Sequence, residues 1–494
     1  MIAPLQVIIL LLIVAAFDSA PQRPAVPLSA GTVILLVILA HGTLLITARQ
    51  RFARMCRQWQ TGSLSPAAIN RAIQRVVRRL LALNTALLAA DLWIFGLGWL
   101  VKYQWNAGRI PVLSSVIWLT APVLTWLAIW SLEYPLELIL QHQAEILSEA
   151  STHPMHQPPT RWQYVHMQFR HGLSLLIVLL AFDFLTVPIT ALMNHWHLGN
   201  WSVVVTVLPA LVLLVILPAV VVRYWRTTPL PDGPLRTRLE ELSRRHKVGF
   251  VDIRVWNTYY RIPNAAILGL WPWCRYFLLT DLLIERLEPQ QVEAVFAHEV
   301  GHGHHRHIWW YLLTFVAADL LGTGLSLWAG NIWSLRDNTV MLLNFSIVAL
   351  LIVFAFSRVS RLCEHQADWF AARYMAARIA AAHKTQTSGA TVVMIADSHY
   401  DHSDINEDNL ETPAQAGARI FSESLSTLVD LANHPPDRAG WLHPSLQNRM
   451  NLLAALAISP EMQRRFNRQI VSMRIGILLA AATGMALAVW AIHP

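Results

Sequence analysis

The segment VEAVFAHEVGHGHHRH, residues 292–307, places His298 and His302 four positions apart with Glu299 between them. On a helix that spacing is about one turn, roughly 6 Å along the axis, so both imidazoles leave the same face and can reach one ion. Pro289 suits a first helical turn, and Val292, Val295 and Phe296 recur at helical spacing ahead of the histidines. Glu299 is next to the pair, positioned to take a proton from water bound to that ion. The chemistry expected of such a set is zinc-assisted hydrolysis, which needs neutral nitrogen ligands, an open coordination position and a carboxylate base.

In a chain with 21 histidines the motif alone is only moderately specific, so a third ligand is the test. The stretch SRLCEHQADWFAARY supplies Glu364 and, four residues later, Asp368, on another predicted helix. Glu364 would complete two histidines and one carboxylate, leaving the fourth position for water. Asp368, one turn further on, could accept a hydrogen bond from the second ring nitrogen of a ligand histidine. The competing reading of this pair is a solvated helix face bridged to Arg361 or Arg373. His304, His305 and His307 could form a second metal site. They fall where a helix leaves water for the membrane, and they read mainly as interfacial polar residues.

The elements that must hold these residues lie in a strongly apolar chain. Of 494 residues 55% are hydrophobic and 14% charged, which excludes an ordinary soluble protein. Apolar runs fall near 31–48, 80–101, 113–132, 172–193, 202–223, 308–330, 340–357 and 475–492. Each approaches the roughly 20 residues a helix needs to cross the hydrocarbon core. A shorter run at 5–17 reads as a ninth span, since it lacks the basic flank of a signal peptide.

Eight arginines lie between 49 and 79, and the stretches 223–307 and 358–474 are also rich in them, whereas the connections 194–201 and 331–339 hold only Arg336. Basic loops stay in the cytoplasm, so the arginine-rich stretches are expected there. This bias accounts for the net charge of +8, and no nucleic-acid partner is implied. Cys56, Cys274 and Cys363 have no metal spacing and read as reduced structural thiols.

Five regions follow. Residues 1–223 are N-terminal spans with a cytoplasmic arginine-rich loop and a mobile polar connection at 135–171. Residues 224–307 are a cytoplasmic α+β part, with an amphipathic helix at LRTRLEELSRRHK, strands at VDIRVW, AAIL and YFLLT, and the H-E-x-x-H helix. Residues 308–357 are two spans. Residues 358–474 are a cytoplasmic helical part with the third ligand and a flexible acidic loop near 385–415. Residues 475–494 are a last span. The expected fold is therefore predominantly α, a bundle of about eight or nine spans with a small cytoplasmic α+β metallopeptidase domain.

H-E-x-x-H followed by E-x-x-x-D, with spans between and around them, resembles the integral-membrane zinc metallopeptidases that include the HtpX proteases and the CAAX prenyl proteases of the HEXXH type. IPNAAILG resembles that family's strand ahead of the active-site helix, FLLTDLLIERLEPQQVEAVFAHEVGH its approach to the helix, and LHPSLQNRM its C-terminal His-Pro and Arg motif. The likeness covers roughly 230–455, and it departs from the family in the bulky turn GLWPWCRYF.

The resemblance implies one zinc per chain on His298, His302 and Glu364, Glu299 as general base, and Asp368 orienting His298. It further implies Asn264 holding substrate backbone beside an edge strand, and His443 and Arg449 contacting the tetrahedral intermediate or its neighbouring backbone. The expected partners are a protein or peptide substrate and the bilayer, with no nucleic acid. The expected place is a bacterial cytoplasmic membrane, with the site facing the cytoplasm. A silent relative that binds and retains membrane proteins is the alternative. A metal carrier would predict polar or acidic residues inside several spans, which mostly lack them apart from Asp91, Asp183 and Asp319.

Overall fold

The structure is a computed structural model that describes residues 4–18, 28–63, 65–110, 112–148, 157–196, 202–387, 411–432 and 439–492. It divides into two compact units, Met1–Thr227 and Thr228–Pro494. Both are predominantly helical.

Among the described residues six helices are long and apolar enough to cross a membrane, and two bent helix pairs bring the number to eight if each is one span. These eight coincide with the eight long apolar runs. The physical reason is that hydrocarbon offers no hydrogen bonds, so a crossing chain must satisfy its backbone internally as a helix. The run at 5–17 forms the helix Pro4–Asp18, whose 15 residues fall short of the roughly 20 needed.

In the first unit, Ser29 and Ser65 cap the helices Ala30–Gln60 and Pro66–Ala89 by accepting hydrogen bonds from the amides of Thr32 and Ala68. The second of these helices continues through a π-helical turn, Ala90–Ile94, and the chain then bends by 64° about Gly96. At the π turn, buried Asp91 lies 3.0 Å from His41, whose other ring nitrogen lies 2.8 Å from Thr125. Three helices are thereby tied by a fully buried polar chain.

The expected loop at 135–171 is largely helical. One helix runs Leu113–Ser148 through Pro122 and Pro135, and the next starts at Arg161. A proline removes one backbone hydrogen bond, but buried Leu136 and Glu133 keep the helix packed across it. Residues 149–156 of that stretch lie outside the described residues. So does most of the acidic segment near 385–415, along with the side chain of Asp183. Asp319 is exposed on its span.

The second unit holds a four-stranded sheet: β1 (Thr227–Pro229), β2 (Asp252–Trp256), β3 (Ala265–Leu268) and β4 (Tyr276–Thr280), in the order β1-β2-β4-β3. β2 and β4 are parallel and β3 and β4 antiparallel, which leaves β3 at an edge. The turn after β3 contains Gly269 at φ +98, where a Cβ would meet Cys274 O at 2.3 Å, so the Trp-rich turn closes on a glycine. Phe277 of β4 packs on Phe296 of the H-E-x-x-H helix at 4.5 Å between ring centroids. Both are fully buried together with Ile253, Leu283 and Phe421. Burial of each such side chain contributes about 1.5–3 kcal/mol, so the sheet and the motif helix share one core.

Candidate metal centre

The motif helix spans Pro289–His304 and starts on a capping box, with Glu288 and Gln291 exchanging side chain to backbone hydrogen bonds around Pro289. Opposite it lies the helix Ser357–Thr387. The two approach closely at Gly301, where an added Cβ would stand 3.2 Å from Ala367 Cα and from Phe370 Cβ. That contact brings Glu364 over the two histidines. Its carboxylate oxygens lie 3.8 Å from His298 Nε2 and 3.6 Å from His302 Nε2, and the two imidazole nitrogens are 3.1 Å apart. One ligand atom from each of His298, His302 and Glu364 falls within 4.8 Å of the others, and all three residues are buried.

The electrostatics suit a cation. His302 is held to a pKa of about 3 by burial and by neighbouring His298, so it is neutral with a lone pair available near pH 7. At His298 burial works in the same direction, but the Asp368 carboxylate, 2.9 Å from Nδ1, outweighs it and raises the pKa. Glu299 is raised by burial and by Glu364, against His298 and a hydrogen bond from the Ile267 backbone. That bond comes from edge strand β3, so the edge and the prospective base adjoin.

Asp368 is gripped on both oxygens by Arg449, with Nη2 at 2.5 Å and Nε at 2.9 Å. Such a bidentate pair fixes the carboxylate against His298. The resemblance implied that Arg449 would contact the tetrahedral intermediate or its neighbouring backbone; its fork also braces Asp368 behind His298. His443 Nδ1 stands 3.0 Å from Glu364 Oε2 with its side chain open to solvent. Its loop is docked on the Glu364 helix: Ser357 and Ser360 donate to the carbonyls of Trp441 and Leu442, Arg361 to that of Gly440, and Trp441 Nε1 to that of Val353. Asn264 is exposed at the head of β3. Its backbone exchanges hydrogen bonds with Thr280, and its side chain is free to face outward.

His307 is a correction. It is fully buried, with Nδ1 2.9 Å from His302 Nδ1 and Nε2 3.1 Å from Gln366 Oε1. The chain reverses between the motif helix and the next span at Arg306, in the left-handed region at φ 58, and this returns His307 onto the motif. The Gln366 carbonyl can only accept, so His307 Nε2 carries the proton and its Nδ1 accepts from His302 Nδ1. His302 Nε2 is thereby left with its lone pair toward Glu364, the tautomer a metal requires. His304 packs instead on His246 and Phe370. His307 and Gln366 touch the centre although the sequence reading did not assign them to it, and the local signal was the fifth histidine of the stretch, five positions past His302.

Residues 229–457 match the model of Peptidase family M48. Among curated proteins, the chain is 30% identical over 187 residues to the probable CAAX prenyl protease 1 of Schizosaccharomyces pombe, covering 33% of this chain and 37% of that protein. It is 28% identical over 185 residues to the CAAX prenyl protease 1 homolog of Arabidopsis thaliana, covering 33% and 42%. The matched segment thus spans about two fifths of the length of these relatives. The crystal structure of S. mikatae Ste24p aligns over 87% of this chain and 99% of its own, at 16% identity and a TM-score of 0.36.

Proposed function

We propose, from the match of residues 229–457 to the model of Peptidase family M48, that this membrane protein is a zinc metalloendopeptidase acting at the cytoplasmic face of the bilayer. The observation that carries the reading is the convergence of His298, His302 and Glu364 beside Glu299. Two imidazole nitrogens and one carboxylate, buried and mutually within 4.8 Å, are the donor set and number of a catalytic zinc site with one position open. Bound there, zinc would lower the pKa of water toward about 7 and polarise the scissile carbonyl.

The chain's own residues supply the rest. Glu299 accepts the proton of the attacking water and returns it to the leaving amine, a role helped by a carboxyl whose affinity for protons burial has increased. His443, solvent-facing with Nδ1 held by Glu364, is kept protonated because that carboxylate outweighs desolvation and raises its pKa, so its Nε2–H donates a hydrogen bond to the developing oxyanion. Asp368 and Arg449 hold His298, and His307 and Gln366 hold His302. β3 offers an open edge, so an extended substrate adds to it as a further strand, with Asn264 at one end and Glu299 alongside. Prenylated CAAX proteins, the substrates named for the relatives, form one candidate class; unfolded membrane proteins form another.

The test combines zinc content with cleavage of an unfolded casein-like substrate by the detergent-purified chain. Wild type should hold one zinc and cut, Glu364→Ala should lose the metal, and Glu299→Gln should keep it while losing at least about a hundredfold in turnover. Wild-type cleavage rates from Glu299→Gln would sink the assignment. Zinc bound without cleavage of any substrate would favour a protein that binds and retains its clients.

A further inference from the structure

A second site lies away from the metal centre, in a cleft of about 510 Å3 between the spans that begin at His307, Thr339 and Pro460. Its floor is apolar, built from Ala318, Leu321, Leu351, Ile477 and Ala480, and its uncharged polar lining is limited to Thr314, Gln469 and Ser472. Arg358 and Arg468 also line it. The sequence accounts for this arrangement. Arg358 directly follows the apolar run 340–357, and Arg468 precedes the run 475–492, so an outgoing and a returning span present their arginines at one membrane face.

The neighbouring arginines are occupied. Arg361 donates to the Gly440 carbonyl, Arg465 faces Glu461, and Arg474 lies over the Trp310 ring at 4.9 Å. Arg358 and Arg468 have no carboxylate partner among the described residues, and no acidic residue lines the cleft.

We propose that this cleft binds one anionic glycerophospholipid of the surrounding membrane. An acyl chain would lie along the apolar floor and the phosphate between Arg358 and Arg468. The chemistry is complementary at both ends. A phosphodiester matches two unpaired guanidinium groups, which favour bidentate oxygen acceptors, and an interhelical basic pocket at headgroup depth is where anionic headgroups are held. A cleft of this size is within the roughly 300–1,000 Å3 typical of small-molecule sites. A zwitterionic lipid brings its own cation to the same place and gains much less.

The experiment is native mass spectrometry of the full chain, titrated with dioleoyl phosphatidylglycerol or dioleoyl phosphatidylcholine. Wild type should retain one phosphatidylglycerol in clear preference to phosphatidylcholine. Arg358→Gln with Arg468→Gln should weaken phosphatidylglycerol about thirtyfold, each arginine near an anionic headgroup being worth on the order of fivefold. Gly476 lines the cleft, and a Cβ there meets nothing within 4 Å. Gly476→Leu should therefore fill the cleft and weaken the lipid while leaving thermal stability and zinc content unchanged. Equal retention of the two lipids by wild type would overturn the proposal. So would an unchanged preference in the double variant, an equal loss from Arg464→Gln with Arg465→Gln, or displacement of phosphatidylglycerol by millimolar inorganic phosphate.

Discussion

His302 and His298 are oriented by different means, and the difference predicts different failures. His302 is set by a neutral chain through buried His307 to half-buried Gln366. Removing His307 takes away the acceptor that selects the tautomer, so His307→Ala should weaken zinc about 10–100-fold, as losses of groups behind a ligand commonly do. Metal-buffer titration measures it, and an unchanged affinity would deny His307 this role. His298 is set by a charge pair instead. Arg449→Leu leaves Asp368 buried without its partner, a loss of about 3–5 kcal/mol in stability, read as a lower unfolding midpoint of the detergent-purified chain. Asp368→Leu combined with Arg449→Leu should recover part of that stability, since an absent pair costs less than a broken one.

At the scale of elements, two helices and one loop make the centre. The helices meet through Gly301, and the loop Gly440–Leu442 is fastened to the Glu364 helix by hydrogen bonds from Ser357, Ser360 and Arg361. Because the loop leads directly into His443, its docking governs where that imidazole stands. Ser357→Ala with Ser360→Ala removes two bonds, worth about 0.5–1.5 kcal/mol each. Turnover should fall several-fold while zinc content is kept, because none of the three ligands sits on that loop. Loss of zinc in this variant would show that the loop supports the metal group itself. The motif helix and three of the strands were legible in the sequence, because a helical period, the alternation of VDIRVW and the short apolar runs AAIL and YFLLT are written into adjacent residues. β1, with only the three residues Thr227–Pro229, has too little period to read.

For the whole molecule, the eight runs of apolar residues and the distribution of arginine carry the argument. If the metal centre faces the cytoplasm, the connection around Ser334, between two spans, must face the other way. In a chain whose three native cysteines are replaced by serine, Ser334→Cys should react with an impermeant maleimide on intact cells. Arg54→Cys, in the arginine-rich segment, should react only after permeabilisation. The reverse pattern would turn the protein over in the membrane and place the site on the opposite side.

The sequence by itself determined what is local or additive. Helical spacing put His298, Glu299 and His302 on one face, hydropathy marked the spans, and the third carboxylate could be sought at a matching spacing further on. Tertiary structure decided which groups stand behind those ligands. Arg449 reaches Asp368 across 81 positions, and His307 reaches Gln366 across 59. Chain reversal at Arg306 turned a histidine that looked interfacial into the partner of a ligand. Such contacts depend on where packed helices bring distant residues together, and a close approach such as that at Gly301 leaves no periodic trace in either segment. The cleft is of the same kind: each arginine alone marks a membrane border, and only the packing of three spans sets two of them over one apolar floor.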